Sequence, residues 1–207
     1  MEPADGLTFV RRGARPALRT TTAGRTTVRW TDGRTSSVRV DRVREPLVPT
    51  GWTLEVEDWS PRDAGDPTDL RTRKTKHRVQ LTEPQAWSKV PGLEDVSGIG
   101  RYRTTVDLGR DWGDDDGALL ELGEVNDTFR VRVNGELLPP CDPLTSTVDL
   151  GRRLRRGRNV IEVEVASTLL NRLRVVTPEV YGVAARQTYG LAGPVRLVPY
   201  VEKVVPG

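Results

Sequence analysis

Apolar residues recur at every second position over most of this chain, the period of a strand with one buried face. Thr26-Thr27-Val28-Arg29-Trp30 alternates and runs into Thr31-Asp32-Gly33-Arg34, and Val38-Arg39-Val40 follows. Asp-Gly between alternating runs predicts a hairpin with positive φ at both central residues. In the next such region Trp52, Leu54 and Val56 share a face. Tyr102, Thr104, Val106 and Leu108 form another such face. Residues 118–122 are almost wholly apolar and predict a central strand buried on both sides. Phe129, Val131 and Val133 alternate with arginines before a turn at Asn134-Gly135. Ile161, Val163 and Val165 alternate with Glu162 and Glu164, and Val195-Arg196-Leu197-Val198 closes the set. Short strands with turn signals every 8–15 residues predict an all-β chain folded as an antiparallel sandwich.

The segments between strands divide the chain. Residues 1–45 read as a small β unit or the remnant of a preceding β domain. Residues 46–51, with Pro46 and Pro49, read as a linker, and 52–207 as the sandwich. Residues 58–76 are polar, contain Pro61, Gly65 and Pro67, and predict a long loop with a helical turn near 68–74. Residues 83–98 predict a second loop, wrapping the sandwich. No stretch carries a helical stripe, which excludes Rossmann and barrel architectures.

Composition narrows the chemistry. The 207 residues hold 36% hydrophobic and 29% charged residues, with 20 Gly and 15 Pro, a lean core with many turns. No run approaches 18 apolar residues, so no spanning helix is expected and no membrane partner. Residues 1–6 show no basic region followed by an apolar one, so no secretory leader is read there. The single cysteine, Cys141, and single histidine, His77, exclude an internal disulfide, a multi-cysteine zinc site and a histidine metal cage. Of the 32 basic residues 28 are arginine, for a net charge of +3. These arginines are scattered. Their densest cluster, Arg152-Arg153-Leu154-Arg155-Arg156, has no interleaved aromatics and reads as a solvated turn rather than a nucleic-acid patch.

Candidate sites are few. Asp114-Asp115-Asp116 offers oxygen ligands to a structural Ca²⁺ but lacks EF-hand spacing, and it reads first as a solvated acidic loop. Trp30 and Trp52 sit on strand faces and read as core. Trp59, Trp87 and Trp112 fall in loops, where an indole either stacks on a sugar ring or covers the end of the sandwich. Asn171 follows Thr168-Leu169-Leu170 at a strand end. There it pairs loop backbone or meets a sugar hydroxyl. Glu162 and Glu164 stand about 7 Å apart on one strand face, but outward glutamates on strands are normally solubilising. No nucleophile elbow or phosphate loop is present.

The order of motifs carries a resemblance. Val96-Ser97-Gly98-Ile99-Gly100-Arg101-Tyr102-Arg103-Thr104-Thr105 comes first, then Leu120-Glu121-Leu122-Gly123-Glu124-Val125-Asn126-Asp127 and Val131-Arg132-Val133-Asn134-Gly135. Val148-Asp149-Leu150, Leu154-Arg155-Arg156-Gly157-Arg158-Asn159 and Leu169-Leu170-Asn171-Arg172-Leu173 follow, and Tyr189-Gly190-Leu191-Ala192-Gly193-Pro194-Val195-Arg196-Leu197 ends the series. The series resembles the galactose-binding-like, sugar-binding jelly roll of family 2-type glycoside hydrolases, and most of all the C-terminal region of the α-L-rhamnosidases of glycoside hydrolase family 106. The likeness covers residues 96–200 well and 1–60 loosely.

The resemblance implies a jelly-roll sandwich and a restricted role. In those enzymes the catalytic carboxylates lie on a barrel this chain lacks, so no residue here inherits a catalytic role. The implied function is a non-catalytic module that supports a glycoside hydrolase catalytic domain, in the same or an adjacent chain, and carbohydrate recognition. A free-standing carbohydrate-binding module and a small glycosidase are the alternatives. No cofactor is implied. Relatives of this kind are typically exported. An apolar docking surface is expected on the first 45 residues, around Phe9, Trp30 and Val38.

Overall fold

The computed structural model describes residues 6–66, 68–69, 71–140 and 144–206; Cys141 lies outside them. The strands are β1 (Leu7–Arg12), β2 (Arg15–Thr20), β3 (Gly24–Arg29), β4 (Thr35–Val40), β5 (Trp52–Pro61), β6 (Thr72–Leu81), β7 (Gly98–Leu108) and β8 (Asp116–Glu121). They continue with β9 (Glu124–Val125), β10 (Thr128–Val133), β11 (Glu136–Leu137), β12 (Thr147–Gly151), β13 (Gly157–Ala166), β14 (Leu191–Gly193) and β15 (Arg196–Val204). Two short helices, α1 (Leu170–Val176) and α2 (Pro178–Tyr181), interrupt the β pattern between β13 and β14.

The chain is an antiparallel β-sandwich. A five-stranded sheet, β1-β2-β15-β8-β12, packs against a six-stranded sheet, β11-β10-β13-β7-β5-β6. The core lies between them, with Trp52, Leu54, Tyr102, Ile161, Val163 and Val165 at 0% exposure from one sheet and Ala118, Leu120, Leu150 and Leu197 at 0% from the other. Burying each such aliphatic side chain contributes about 1.5–3 kcal/mol. A one-residue slip of any strand would forfeit its whole set.

The strongest alternations hold as read. Val131 and Val133 pair with Val163 and Ile161 across β10 and β13, all buried. Phe129 pairs with Val165 but is half-buried, packing on the rim of the core. The Asn134-Gly135 turn has positive φ at both residues, 51° and 86°, as a type I′ hairpin requires. Asn134 does more than turn the chain. Its Nδ2 donates to Asn159 Oδ1 at 3.0 Å, and its Oδ1 accepts from Val160 N at 3.0 Å. Asn159, fully buried, is thereby fixed at the start of β13.

Other expectations need correction. At the Asp32-Gly33 turn only Gly33 has positive φ. The turn closes instead through a bond from Gly33 N–H to the Trp30 carbonyl at 3.1 Å. Residues 58–76 are not one loop. β5 continues to Pro61 and β6 begins at Thr72, so Thr72, Arg73 and Lys74 are strand, not helical turn. The signal was hidden because Asp58 and Ser60 take the inward positions of β5. The outer half of β6 is wholly exposed and carries Arg73, Lys74 and Lys76, charges that guard a sheet edge. β8 is central in its sheet, yet Leu119 is only half-buried, so the strand is not covered on both faces.

The N-terminal residues are tied into the sandwich. β2 pairs with β15 from Ala17↔Val204 to Thr20↔Val201. Leu18, Val28, Val38 and Val205 form a second, smaller core beneath the β3–β4 hairpin. Residues around the proline segment also bond to the main body: Leu47 bridges Leu197, and the Pro49 carbonyl accepts from Trp52 Nε1 at 2.8 Å.

Candidate functional site

Alternation along β5 and β7 sets which side chains gather at one end of the core. Where the inward row of β5 runs out of apolar residues, Asp58 occupies the next inward position, 7% exposed. An isolated buried carboxylate is costly unless paired. Arg172 of α1 supplies the pair, with Nη2 at 2.6 Å from both Asp58 oxygens. His77, opposite Val56 on β6, brings Nε2 to 3.6 Å from Asp58 Oδ2. The Arg172 backbone N–H donates to Ser97 Oγ at 3.2 Å.

This cluster anchors a lobe formed by residues 168–188. Asn171 lies on α1, not at a strand end, because β13 stops at Ala166. It is 2% exposed and binds Gln187 twice: Nδ2 donates to the Gln187 carbonyl and Oδ1 accepts from Gln187 N, both at 2.8 Å. Those bonds close the lobe's two ends against each other. Arg174 Nε donates to the Ala184 carbonyl at 2.6 Å, and Arg186 pairs with Asp95 at 3.0 Å. Thr168 Oγ1 and Tyr189 Oη hydrogen-bond at 2.6 Å. Below them Tyr102 Oη accepts from Trp87 Nε1 at 2.8 Å and from Leu191 N at 3.0 Å. Burial pushes the Tyr102 hydroxyl's pKa up, against those two donated bonds. Gly190 sits at φ +91°, and a Cβ there would lie 2.4 Å from Tyr102 Oη, so only glycine fits over this pair.

The lobe's surface is apolar. Leu169, Val175, Val180, Tyr181 and Val183 are 44%, 51%, 60%, 37% and 98% exposed. Sequence pattern missed this segment, since helices of seven and four residues are too short to show a stripe. The first 45 residues are different from expectation. Val38 is buried, Trp30 is half-buried with Nε1 on Ser36 Oγ at 2.8 Å, and Phe9 is exposed at 58%.

The tryptophans separate. Trp87 is in a 3₁₀ turn, 1% exposed, edge-on to Tyr189 at 6.1 Å. Trp112 is 3% exposed beneath the Arg44 guanidinium. Trp59 is on β5, not in a loop, and is half-buried on the outer face. Its Nε1 donates to Glu57 at 2.8 Å, and Lys74 Nζ lies 4.2 Å from the ring centroid. Bonds from Lys74 and then Trp59 hold the Glu57 carboxyl below its ordinary value.

That outer face carries a charge ladder. Arg130, Glu164, Arg101, Glu55 and Arg78 lie side by side across β10, β13, β7, β5 and β6. Glu164 meets Arg101 at 2.7 Å and Arg130 at 2.6 Å, and Glu55 meets Arg78 at 3.1 Å. In the adjoining row Glu162 reaches Arg103 at 3.4 Å. The rows line a shallow trough of about 500 Å³. Partial burial works to raise the Glu164 pKa, but the two arginine bonds outweigh it and hold it low.

The acidic triplet is drawn apart. Asp115 pairs with Arg12 at 2.5 Å and Lys203 at 2.6 Å, while Asp116 accepts from Arg44 and from Gly113 N. Asp114 is exposed. Among the described residues no three His, Cys, Asp or Glu side chains gather as metal ligands, and no helix is long and apolar enough to cross a membrane.

No protein-family model and no curated sequence matches the chain. Solved structures do. A rhamnosidase from Novosphingobium sp. PP1Y superposes on 94% of this chain at a TM-score of 0.55 and 20% identity, using 23% of its own length. An FMN-binding β-glucuronidase from Facaelibacterium prausnitzii L2-6 covers 76% of this chain with 22% of its own, at 22% identity and a TM-score of 0.48. A β-D-glucuronidase from Dictyoglomus thermophilum covers 78% with 29% of its own, at 14% identity and 0.47. The chain spans less than a third of each of these glycoside hydrolases, and it shares its fold with a β-sandwich region of the rhamnosidase.

Proposed function

We propose that this chain is a non-catalytic β-sandwich module of an α-L-rhamnosidase-like glycoside hydrolase, supporting the catalytic domain and its recognition of carbohydrate. The observation that carries the reading is the match of nearly the whole chain, 94%, to only 23% of a rhamnosidase. The order of sequence motifs points the same way. The carboxylates of the ladder face also support it. Glycoside hydrolysis needs an acid with a raised pKa facing a second carboxylate across the sugar, whereas Glu55, Glu162 and Glu164 are each held by arginines. Asp127, whose pKa burial raises, sits in the turn just before β10, at φ 67°, where its partner is the Thr168 backbone rather than a second carboxylate.

Sugar contact falls to Trp59 among the candidates, because Trp87, Trp112 and Asn171 are buried at 1%, 3% and 2% exposure while Trp59 is half-buried on the outer face. The galactose-binding-like jelly roll belongs to the same proposal.

The test is turnover. The purified chain is incubated with aryl rhamnosides, galactosides and glucuronides, alone and with a rhamnosidase catalytic domain expressed without its own β-sandwich region. The proposal expects no hydrolysis by the chain alone and higher activity or stability of the catalytic domain in its presence. Hydrolysis by the chain alone, abolished in a Glu162→Gln, Glu164→Gln double variant, would overturn it.

A further inference from the structure

We infer that the outer face of the six-stranded sheet, from the trough at Arg132 to Trp59, binds a segment of an acidic polysaccharide and reads its uronate carboxylates. The inference rests on the carbohydrate-recognition part of the proposed function and names its ligand class. Three observations carry it.

The first is where the chain keeps its excess charge. In the rows between Thr53 and Trp59, this face carries seven basic side chains, Lys74, Lys76 and the five arginines of the trough. Four acidic ones oppose them, Glu55, Glu57, Glu162 and Glu164. The surplus of three equals the net charge of the whole chain, +3, so all other residues together are neutral. A surplus of one sign gathered on a concave surface draws ligands of the opposite sign. Arg78, Arg101, Arg103 and Arg130 are each more than half exposed, within reach of such a ligand.

The second is which charges are left over. Glu164 is shared by Arg101 and Arg130, Glu55 is taken by Arg78 and Glu57 by Lys74. Glu162 meets Arg103 only at 3.4 Å, longer than a charge-assisted bond. Among the described residues Lys76, and Arg132 opposite Glu162, make no ion pair. Arg132 lines the trough of about 500 Å³, a size typical of small-ligand sites. A guanidinium without a partner offers a carboxylate a two-bond fork.

The third is the mixture of groups. One row reads Arg101, Glu164, Arg130, and the next reads Thr53, Arg103, Glu162, Arg132. Sugar hydroxyls both donate and accept, so they suit guanidiniums and carboxylates alike. A nucleic acid carries a phosphate at every unit and would meet a glutamate in each row. Trp59, half-buried, adds one indole at the far end, a surface for the apolar side of a pyranose. From Arg132 to Trp59 the face runs three strands across and six residues along, about 25 Å by strand spacing and rise. That span takes an oligosaccharide rather than a single sugar.

The test is calorimetric titration of the full chain with hexamers of galacturonate and of mannuronate, their neutral methyl esters, and a single-stranded DNA of equal charge. At least one acidic hexamer is expected to bind, more weakly as salt is added, and its ester about tenfold more weakly or not at all. Arg132→Gln breaks no ion pair; it is expected to lower the affinity about tenfold at an unchanged unfolding midpoint. Arg25→Gln removes the same charge from exposed β3, and is expected to change it less than about twofold, as a distant screened charge. No binding of either acid, equal binding of the esters, or full affinity in Arg132→Gln would overturn the inference. DNA bound as tightly as the hexamers would assign the face to polyanions at large and overturn it too. The reading of the chain as a hydrolase module is decided separately, by its effect on a catalytic domain, and stands under any of these results.

Discussion

Arg172 and Asp58 join a helix to a strand 114 positions earlier, through two bonds of 2.6 Å to one guanidinium nitrogen. The pair is largely buried, with side chains 18% and 10% exposed. It converts the polar end of the β5 row into a mount for the lobe. Nothing in the local sequence of either residue shows the other.

Breaking that pair from one side strands a buried charge. Arg172→Ala is expected to destabilise the chain by about 3 kcal/mol, the lower end of the usual cost of an orphaned buried charge. Asp58→Asn with Arg172→Ala should cost less than the sum of the singles. Urea unfolding of the three variants measures the coupling; additive effects would mean the pair contributes nothing.

Asn171→Ala removes both bonds to the Gln187 backbone and leaves a donor and an acceptor unpaired. The expected loss is about 1–3 kcal/mol, with faster tryptic cleavage after Arg172, Arg174 or Arg186. An unchanged midpoint with lost glycan binding would give Asn171 a ligand role instead.

Tyr102→Phe strips the acceptor from Trp87 Nε1 and Leu191 N while keeping the ring. Two unpaired buried donors make this small change expensive, about 2 kcal/mol or more. Differential scanning calorimetry reads it directly.

How legible the molecule is from sequence follows from what each residue contacts. Strands with a clean apolar row, such as β10 and β13, are readable because burial itself writes the alternation. β6 is readable only at its inner end, where Val79 and Leu81 mark a short strand; its outer half is exposed on both faces, so no apolar row exists to see. β5 is readable only to Val56, since Asp58 depends on Arg172 of α1. The lobe fails for the same reason: its short helices are held by Asn171, Arg172 and Arg186 through partners far along the chain. Of the indoles, Trp87 and Trp112 look like loop residues in sequence, yet the turns carrying them fold inward over the core.

The ladder face predicts an acid dependence. The arginine bonds lower the Glu164 pKa on folding. Its contribution is therefore complete above the unfolded value of about 4.5 and is lost as pH falls through the lower folded value. Glu164→Gln should destabilise by about 0.5–1 kcal/mol at pH 7 and flatten the curve between pH 5 and 3. Urea midpoints across that range check it; parallel curves for both proteins would remove Glu164 from the acid response.

The central claim is that this chain serves a glycosidase without being one. It is tested most directly by the thermal midpoint and aryl-glycoside turnover of a rhamnosidase catalytic domain expressed without its own β-sandwich region, measured with and without the chain at saturating concentration. The account predicts a raised midpoint, as linkage requires of any partner that binds the native state, together with no turnover by the chain alone. A catalytic domain indifferent to the chain, or a chain that hydrolyses the glycoside by itself, would contradict it.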